Sequence, residues 1–481
     1  MTLYIKKLDQ RLETILKEKK LKTRRHAGHG PWLSLLLPVA VIIGTKAYEC
    51  SWQYRVSGCV SMGLLTNSLF IQFQMSSNFL SRTVACLLTS AVTVSSLSLY
   101  TDQGVAFKVL IALLTSLGFQ KLLLTVLQDF PRSFTFGEAC FAVQSFILFL
   151  SASVANFCFK GYTDCMQKAT LILQVGLCGI GLLCVLLKLF PKLKKPAQFC
   201  MITLGVVGFV VIPLSHVLLG QSAVIWIIYQ LTQDLFTVKL VLYWLLCCVI
   251  AVLVVIVQVS AGYKSSTITR KTFHVLALAV FLPGFIYRPC LLYLASGVLF
   301  ALFVVLEIVR MLNLPVIGGY LEAGFAAFAD SKDEGPLALT PIYLLIGFAG
   351  PLWLHPSLLL PPTLNSDDSG ISSTYSGVSP GHLLPLLAGL LSVGVGDTAA
   401  SVCGTWFGRH YWDGSKKTKE GSAACFISQL FALLVLIHFG FVPRTNLLEP
   451  ISSIVVTSLV EAYTTQVDNL VLPLLMYIVL L

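Results

Sequence analysis

The sequence predicts an all-α polytopic integral membrane protein with about 13–15 transmembrane helices. Three observations carry this. The 481 residues are 56% hydrophobic and only 11% charged, with a mean hydropathy of +0.84. Apolar runs recur from Trp32 to the C-terminus, many of them near the roughly 20 residues that span a hydrocarbon core. The runs are unbroken rather than alternating, which selects helices over barrel strands, because each backbone polar group must find its partner within its own segment.

Residues 1–30 form a charged arm, "MTLYIKKLDQRLETILKEKKLKTRRHAGHG". A cleavable signal has a short basic stub followed by an apolar core, so the arm is not one. Leu3, Ile5, Leu8, Leu12, Ile15 and Leu16 recur near helical spacing opposite Lys and Arg. The arm therefore reads either as a helix on the cytosolic membrane surface or as a solvated basic tail. Candidate spans follow near 32–48, 58–75, 82–100, 105–127, 137–158, 169–190, 198–219, 222–236, 238–261, 272–286, 290–308, 339–355, 383–407, 422–441 and 451–475. The run 222–236 is short and holds Gln230, Gln233 and Asp234, which fits an interfacial or re-entrant segment.

The net charge of +11 is gathered in the arm and in short connectors. With no binding motif beside it, it reads as topology and anionic-lipid contact, and no nucleic-acid partner is expected. The 14 cysteines are scattered, without CxxC or Cys/His metal spacing, and imply neither a disulfide framework nor a zinc site.

Basic connectors set the orientation. The arm, "KLFPKLKK" (188–195), "KSSTITRK" (264–271) and "GRHYWDGSKKTK" (408–419) are expected in the cytosol, and the loop around 361–377, which lacks Lys and Arg, on the other side. Residues 31–262 form N-terminal transmembrane helices with few charges, whereas 263–481 hold nearly every ionisable group in or beside a span. An intramembrane charge is costly, so the chemistry is expected in the second half.

Helical spacing from Gly396 to Arg409 gives two stripes. Gly396, Ala400, Gly404 and Gly408 form a small-residue face for close helix packing. Asp397, Ser401, Thr405 and Arg409 form a polar one, and Asp397, with no cation in its own run, is the leading candidate for a functional acid. "WDGSKKTKEG" (412–421) then combines Gly414, Ser415, Lys416, Lys417, Thr418 and Glu420. Glycine admits close backbone approach to an anion, lysines neutralise phosphate oxygens, and an acid can help hold a divalent ion, although a basic topological loop has the same composition. It is not a P-loop, and the protein-kinase motifs are absent.

In "RKTFH" (270–274), Arg270, Lys271 and His274 open a span on the cytosolic side. Glu307 lies one turn from Arg310, so a local ion pair is one reading and a catalytic acid the other. Glu461 and Asp468, seven residues apart, are expected on one face of a terminal helix. Asp330 and Asp333 are ligand-type residues in a loop. Arg270, Lys271, His274, Glu307, Asp397, Lys416 and Lys417 thus fall at one depth, with Asp468 expected beside them. This defines a cytosolic-face active site suited to moving a phosphate-bearing group from a soluble nucleotide to a lipid.

"RKTFH", "LEIVR", "FADSKDEGPL", "GDTAAS", "GSKKTKEG" and "EAYTTQVDNLVLP", in that order over about 265–475, resemble the dolichol kinases of the polyprenol kinase family. The N-terminal spans carry no motif of their own. The resemblance implies CTP as phosphoryl donor, dolichol as acceptor, a divalent cation such as Mg²⁺, and the endoplasmic-reticulum membrane. It implies CTP contacts between Thr405 and Glu420, including Gly408, Gly414, Ser415, Lys416, Lys417 and Thr418. It also matches Asp397 to the acid of the GD motif and Arg270 and Lys271 to the paired basic residues, while Asp397 and Asp468 are the expected metal ligands. "GDTAA" with "KKTKEG" is also similar to phosphatidate cytidylyltransferases, whose closing signature is replaced here by "TTQVDNLVLP". Another CTP-using lipid enzyme, such as a diacylglycerol kinase, and a transporter lined by the polar stripe are the alternatives.

Overall fold

The computed structural model describes residues 2–25, 27–73, 79–158, 164–261, 267–314, 317–328, 332–356, 380–415, 417–444 and 447–481. Among these the chain is helical, apart from an isolated antiparallel bridge between Tyr411 and Thr418. The arm opens as α1 (Thr2–Glu18). The N-terminal helices are α2 (Leu33–Ala47), α3 (Trp52–Phe73), α4 (Phe79–Tyr100), α5 (Val105–Asp129), α6 (Phe136–Cys158), α7 (Cys165–Leu189), α8 (Pro196–Leu219), α9 (Ala223–Thr232) and α10 (Leu235–Ser260). Then come α11 (Thr267–Tyr287), α12 (Pro289–Met311), α13 (Ile317–Phe328), α14 (Thr340–Leu354) and α15 (Pro380–Leu386). The π-helical segment Leu390–Asp397 runs into α16 (Thr398–Phe407), and α17 (Lys419–His438), α18 (Leu448–Tyr463) and α19 (Asp468–Leu480) complete the chain.

By length and composition, 8 of the described helices are apolar enough to cross a membrane, and α2, α9, α14 and α19 are shorter apolar helices. Together they bear out an all-helical polytopic membrane protein. α9 has only 10 residues, about 15 Å of rise, so the short run around 222–236 is half a crossing rather than a span. The stretch 310–338, expected as a loop, contains α13, packed against α10 and α12.

The arm corrects the sequence picture. Its helix forms, but Leu8, Leu12 and Leu16 are buried, and Leu12, Leu16 and Leu21 join the main apolar core. Leu8, Leu12 and Leu16 of the stripe are thus covered by protein rather than by lipid headgroups or water.

Contacts sort helix ends onto two faces. Gln72 at the end of α3 donates to Pro31 O before α2, Arg132 N after α5 donates to Lys22 O, and Gly137 N at the start of α6 donates to His29 O. At the other face, Tyr54 Oη in α3 donates to Leu354 O at the end of α14, and Arg288 pairs with Asp234 at the head of α10. A disulfide between Cys165 and Cys290 ties the heads of α7 and α12 at this second face. It corrects the expectation that the scattered cysteines imply no disulfide: 125 residues separate the partners and both sit at the edges of apolar runs, so spacing carries no trace of the pair. Cys165 and Cys290 are expected to resist maleimide labelling until reduced. The Cys165→Ser/Cys290→Ser variant should lose about 2–4 kcal/mol of stability, read from unfolding in detergent.

Small residues bring the C-terminal helices into backbone contact, as expected where lipid removes most of the hydrophobic drive for association. A Cβ on Gly389 would lie 2.1 Å from Gly347 O, and one on Gly347 would lie 2.2 Å from Asn469 O. The glycine stripe behaves as the sequence indicates. A Cβ on Gly396 would strike Gln429 of α17 at 2.5 Å, and Gly404 faces Thr418 and Gly421.

Candidate active site

Asp397 ends the π-helical segment and is 4% exposed. The wider π turn shifts the register of the side chains that follow, a feature often found at functional sites. Its missing cation comes from another helix: Lys271 of α11 donates to Asp397 Oδ2, and His274 Nε2 lies 3.6 Å from the same oxygen. His274 Nε2 also lies 3.4 Å from Lys271 Nζ and 3.3 Å from Asn469 Oδ1 on α19. Lys271 and His274 are three residues apart, one helical turn, so both reach the same carboxylate. An unpaired carboxylate at this depth would be strongly unfavourable, and removing either member of such a pair typically costs about 3–5 kcal/mol.

A cavity of about 160 Å³ opens beside this cluster, lined by Arg270, Lys271, His274, Asp397 and Ser401 together with Lys332, Asp333, Thr340, Tyr343, Asp468, Asn469, Val467 and Arg24. At about 30 Å³ per water, it has room for some five waters, enough for a phosphoryl group but not for a nucleotide. Lys332 Nζ donates to Gln466 O at 3.1 Å and pairs with Asp468 Oδ2 at 3.3 Å. Asp333 accepts from Leu339 N, Thr340 N and Thr340 Oγ1, fixing the head of α14.

Glu461 and Asp468 do not share a helix as expected. The chain breaks at 464–467, where Thr464 Oγ1 accepts from Gln466 N and the Gln466 amide bonds to Gly28 and Thr135. Such local side-chain bonding competes with helix continuation. The two carboxylates converge all the same, since Lys417 Nζ lies 2.9 Å from Glu461 Oε1 and 3.4 Å from Asp468 Oδ1. Burial alone would depress the Lys417 ammonium, but the carboxylates of Asp468 and Glu461 overcome it and hold the group above the ordinary lysine range. The stability from this pairing is therefore present throughout neutral pH and is lost only as pH rises through the raised value.

The 408–420 loop is built by its own polar groups. Gly414 turns it with φ +72°. Ser415 Oγ donates to Ala462 O and accepts from Lys417 N. Thr418 caps α17 by accepting from Gly421 N, and a Cβ on Gly408 would collide with Thr418. Glu420 accepts from Arg409 N, His410 N and His410 Nδ1. Thr405 lies apart, its hydroxyl bonded to Ser401 O.

Arg270, Lys271, His274, Asp397 and Asp468 thus meet at one cavity, with Lys417 at its margin. Gly408, Gly414, Ser415, Thr418 and Glu420 shape the adjoining loop. Glu307 stands outside the cavity, where it pairs with Arg310 at 2.6 Å and accepts from Ala338 N at 2.9 Å. Lys416 and Asp330 lie outside the described residues. Lys332, Tyr343, Asn469 and Arg24 were not anticipated. Lys332 lies between the two aspartates singled out in "FADSKDEGPL", which is the one signal that pointed to it.

Fold and site together define a helical multi-pass membrane protein with a small polar cavity, rich in cations and carboxylates, among the helix ends on one side of the bundle. The chain belongs to the dolichol kinase family, which it matches over residues 83–394. This match takes in N-terminal helices where the sequence showed no motif, and it ends just before Asp397. Dolichol kinase of Mus musculus is 34% identical over 367 residues, 73% of this chain and 66% of the relative. That of Homo sapiens is 34% identical over 369 residues, 73% and 65% respectively, and dolichol kinase EVAN of Arabidopsis thaliana is 31% identical over 271 residues, 54% and 43%. The chain thus spans about two thirds of the length of the mammalian relatives. No solved structure matches it.

Proposed function

We propose that the chain transfers the γ-phosphoryl group of CTP to dolichol, giving dolichyl phosphate and CDP at the cytosolic face of the endoplasmic-reticulum membrane. The observation that carries this reading is the convergence of Lys271, His274 and Asp397, from two helices, on a phosphoryl-sized cavity among the helix ends on one side of the bundle. Phosphoryl transfer asks mainly for positioning and charge neutralisation. Arg270, Lys271 and Lys332 supply positive charge around the moving group, and Lys417 stands where the remaining phosphates of the donor would leave the cavity. The nucleoside, too large for the cavity, would lie along the 408–420 loop.

His274 is our choice of base for the lipid hydroxyl. Its Nε2 faces Asp397 Oδ2 and Asn469 Oδ1 as well as the Lys271 ammonium; with the proton on Nε2 directed at the two oxygens, Nδ1, which has no hydrogen-bond partner, would be the acceptor. The divalent cation fits the donor set, because Asp397, Asp468, Ser401 and Asn469 offer hard oxygens. Among the described residues no three His, Cys, Asp or Glu form a dedicated cage, the usual situation for Mg²⁺, which takes one or two carboxylates and completes its shell with phosphates and water. Asp397 and Asp468 would hold it, and it would neutralise charge on the phosphate oxygens.

The orientation draws on the Cys165–Cys290 disulfide, which lies on the face opposite the cavity and suits an oxidising lumen. The test is purified protein with γ-labelled CTP and a panel of dolichol, diacylglycerol and phosphatidate. Label on dolichol is expected. Label on diacylglycerol alone, or cytidylyl transfer with release of pyrophosphate, would overturn the assignment. Loop integrity is tested separately: Glu420→Ala releases three donors and is expected to raise KM for CTP about tenfold, with a smaller change in kcat.

A further inference from the structure

The segment after α1 threads between the two halves of the chain. On one side Arg24 N donates to Phe134 O at 2.9 Å, and Gly137 N donates to His29 O at 2.9 Å. On the other, Arg25 N donates to Glu334 Oε2 at 3.0 Å, Gly28 N donates to Thr465 Oγ1 at 3.2 Å, and Gln466 Nε2 donates to Gly28 O at 2.7 Å. A Cβ on Gly137 would lie 2.0 Å from Gly30 O, so the crossing is tight.

Arg24 stands at the centre of this crossing, 4% exposed, and lines the cavity. One terminal nitrogen pairs with Glu138, itself fully buried, and the other donates to Lys332 O at 3.2 Å. Lys332 then extends its ammonium to Gln466 O and Asp468. A chain of contacts therefore runs from Glu138 through Arg24 and the Lys332 backbone to a carboxylate of the site. A buried ion pair is an expensive way to fix an arm, since apolar residues of similar volume often do as well or better. Here, moreover, Arg24 Nε and the Tyr343 hydroxyl, both on cavity-lining residues, are buried without hydrogen-bond partners.

We propose that Arg24 is a positioning residue of the transfer site: it holds the Lys332 backbone so that the Lys332 ammonium meets Asp468, making the N-terminal arm part of the catalytic apparatus. This rests on the phosphoryl-transfer reading. Arg24→Met/Glu138→Gln removes both charges while keeping an acceptor for Thr135 N, and is compared with Lys332→Met and with the triple variant, all as full-length protein. The Arg24→Met/Glu138→Gln variant is expected to unfold near the parent temperature, with kcat lowered about 10- to 100-fold and KM for CTP changed little. The same change is expected to cost less than about threefold more once Lys332 is Met, because the two act as one unit. Parental kcat in the Arg24→Met/Glu138→Gln variant, or losses that multiply independently of Lys332, would overturn the proposal. If the parent protein moves no phosphoryl group, the transfer reading fails and this one with it. If the parent is active and the variant equally so, only the role of Arg24 falls.

Discussion

Asn in place of Asp397 is expected to reduce phosphoryl transfer by at least about a thousandfold while leaving a folded, membrane-inserted protein. The substitution keeps the volume and one oxygen but removes the charge that Lys271 and His274 share. Lys271 is then left nearly buried beside an amide, and the cavity loses one of the two carboxylates proposed to hold a cation. Electrostatic groups of this kind commonly contribute factors of 10²–10³ each, and here one change disables two functions. The check is single-turnover transfer from labelled CTP in detergent, with thermal unfolding alongside. Asp397→Glu, which restores the charge at the wrong reach, should recover only part of the rate. Parental turnover in Asp397→Asn would remove the site from this place in the molecule.

The second large effect is expected from a residue with no chemistry of its own. Gly347→Ala places a methyl 2.2 Å from the Asn469 carbonyl, a backbone atom that can yield only if the head of α19 moves. Overpacking of this kind costs about 1–3 kcal/mol, and the strain falls on the turn that carries Asp468 and Asn469. Lower thermal stability is therefore expected together with at least about tenfold lower kcat, because Asn469 orients His274 and Asp468 anchors Lys332 and Lys417. A variant that loses stability but keeps its turnover would show that the packing of α14 against α19 does not set the site geometry. Gly319, with open space around it, serves as the control.

The parts of this site that the sequence reveals are those where charge conflicts with solvent. Asp397, Lys271, His274 and Asp468 lie in or beside apolar runs, where an ionisable group has no cheap structural excuse. Arg24 and Lys332 line the same cavity but sit among other basic residues in connectors, where positive charge is the ordinary signature of topology. Glu307 shows the converse. It looks functional because it is an acid near a span, but the structure gives it a local cation in Arg310 and a backbone donor. The hydroxyls of Ser415 and Thr418 were readable as polar but not as to partner, because which carbonyl or amide they meet depends on α17 and α18. The helices were legible for the same reason as the charges: a lipid environment imposes long apolar segments. The break before Asp468, the arm's docking and the disulfide depend on partners far away in the chain, and periodicity carries no record of those.

The crossing of the arm has a consequence for biogenesis. Gly28 meets Thr465 and Gln466 across sequence separations of 437 and 438 residues. Contacts this remote close late, since the intervening chain must be ordered first. On a translating ribosome, residues 22–30 must wait, already synthesised, until the segment before α19 has emerged. Until then the Arg24–Glu138 pair can form only half of its final surroundings, and the pocket has no floor. A nascent chain stalled or truncated before Thr465 would thus be inserted yet inert, with an unsatisfied N-terminal strap open to surveillance by the folding machinery.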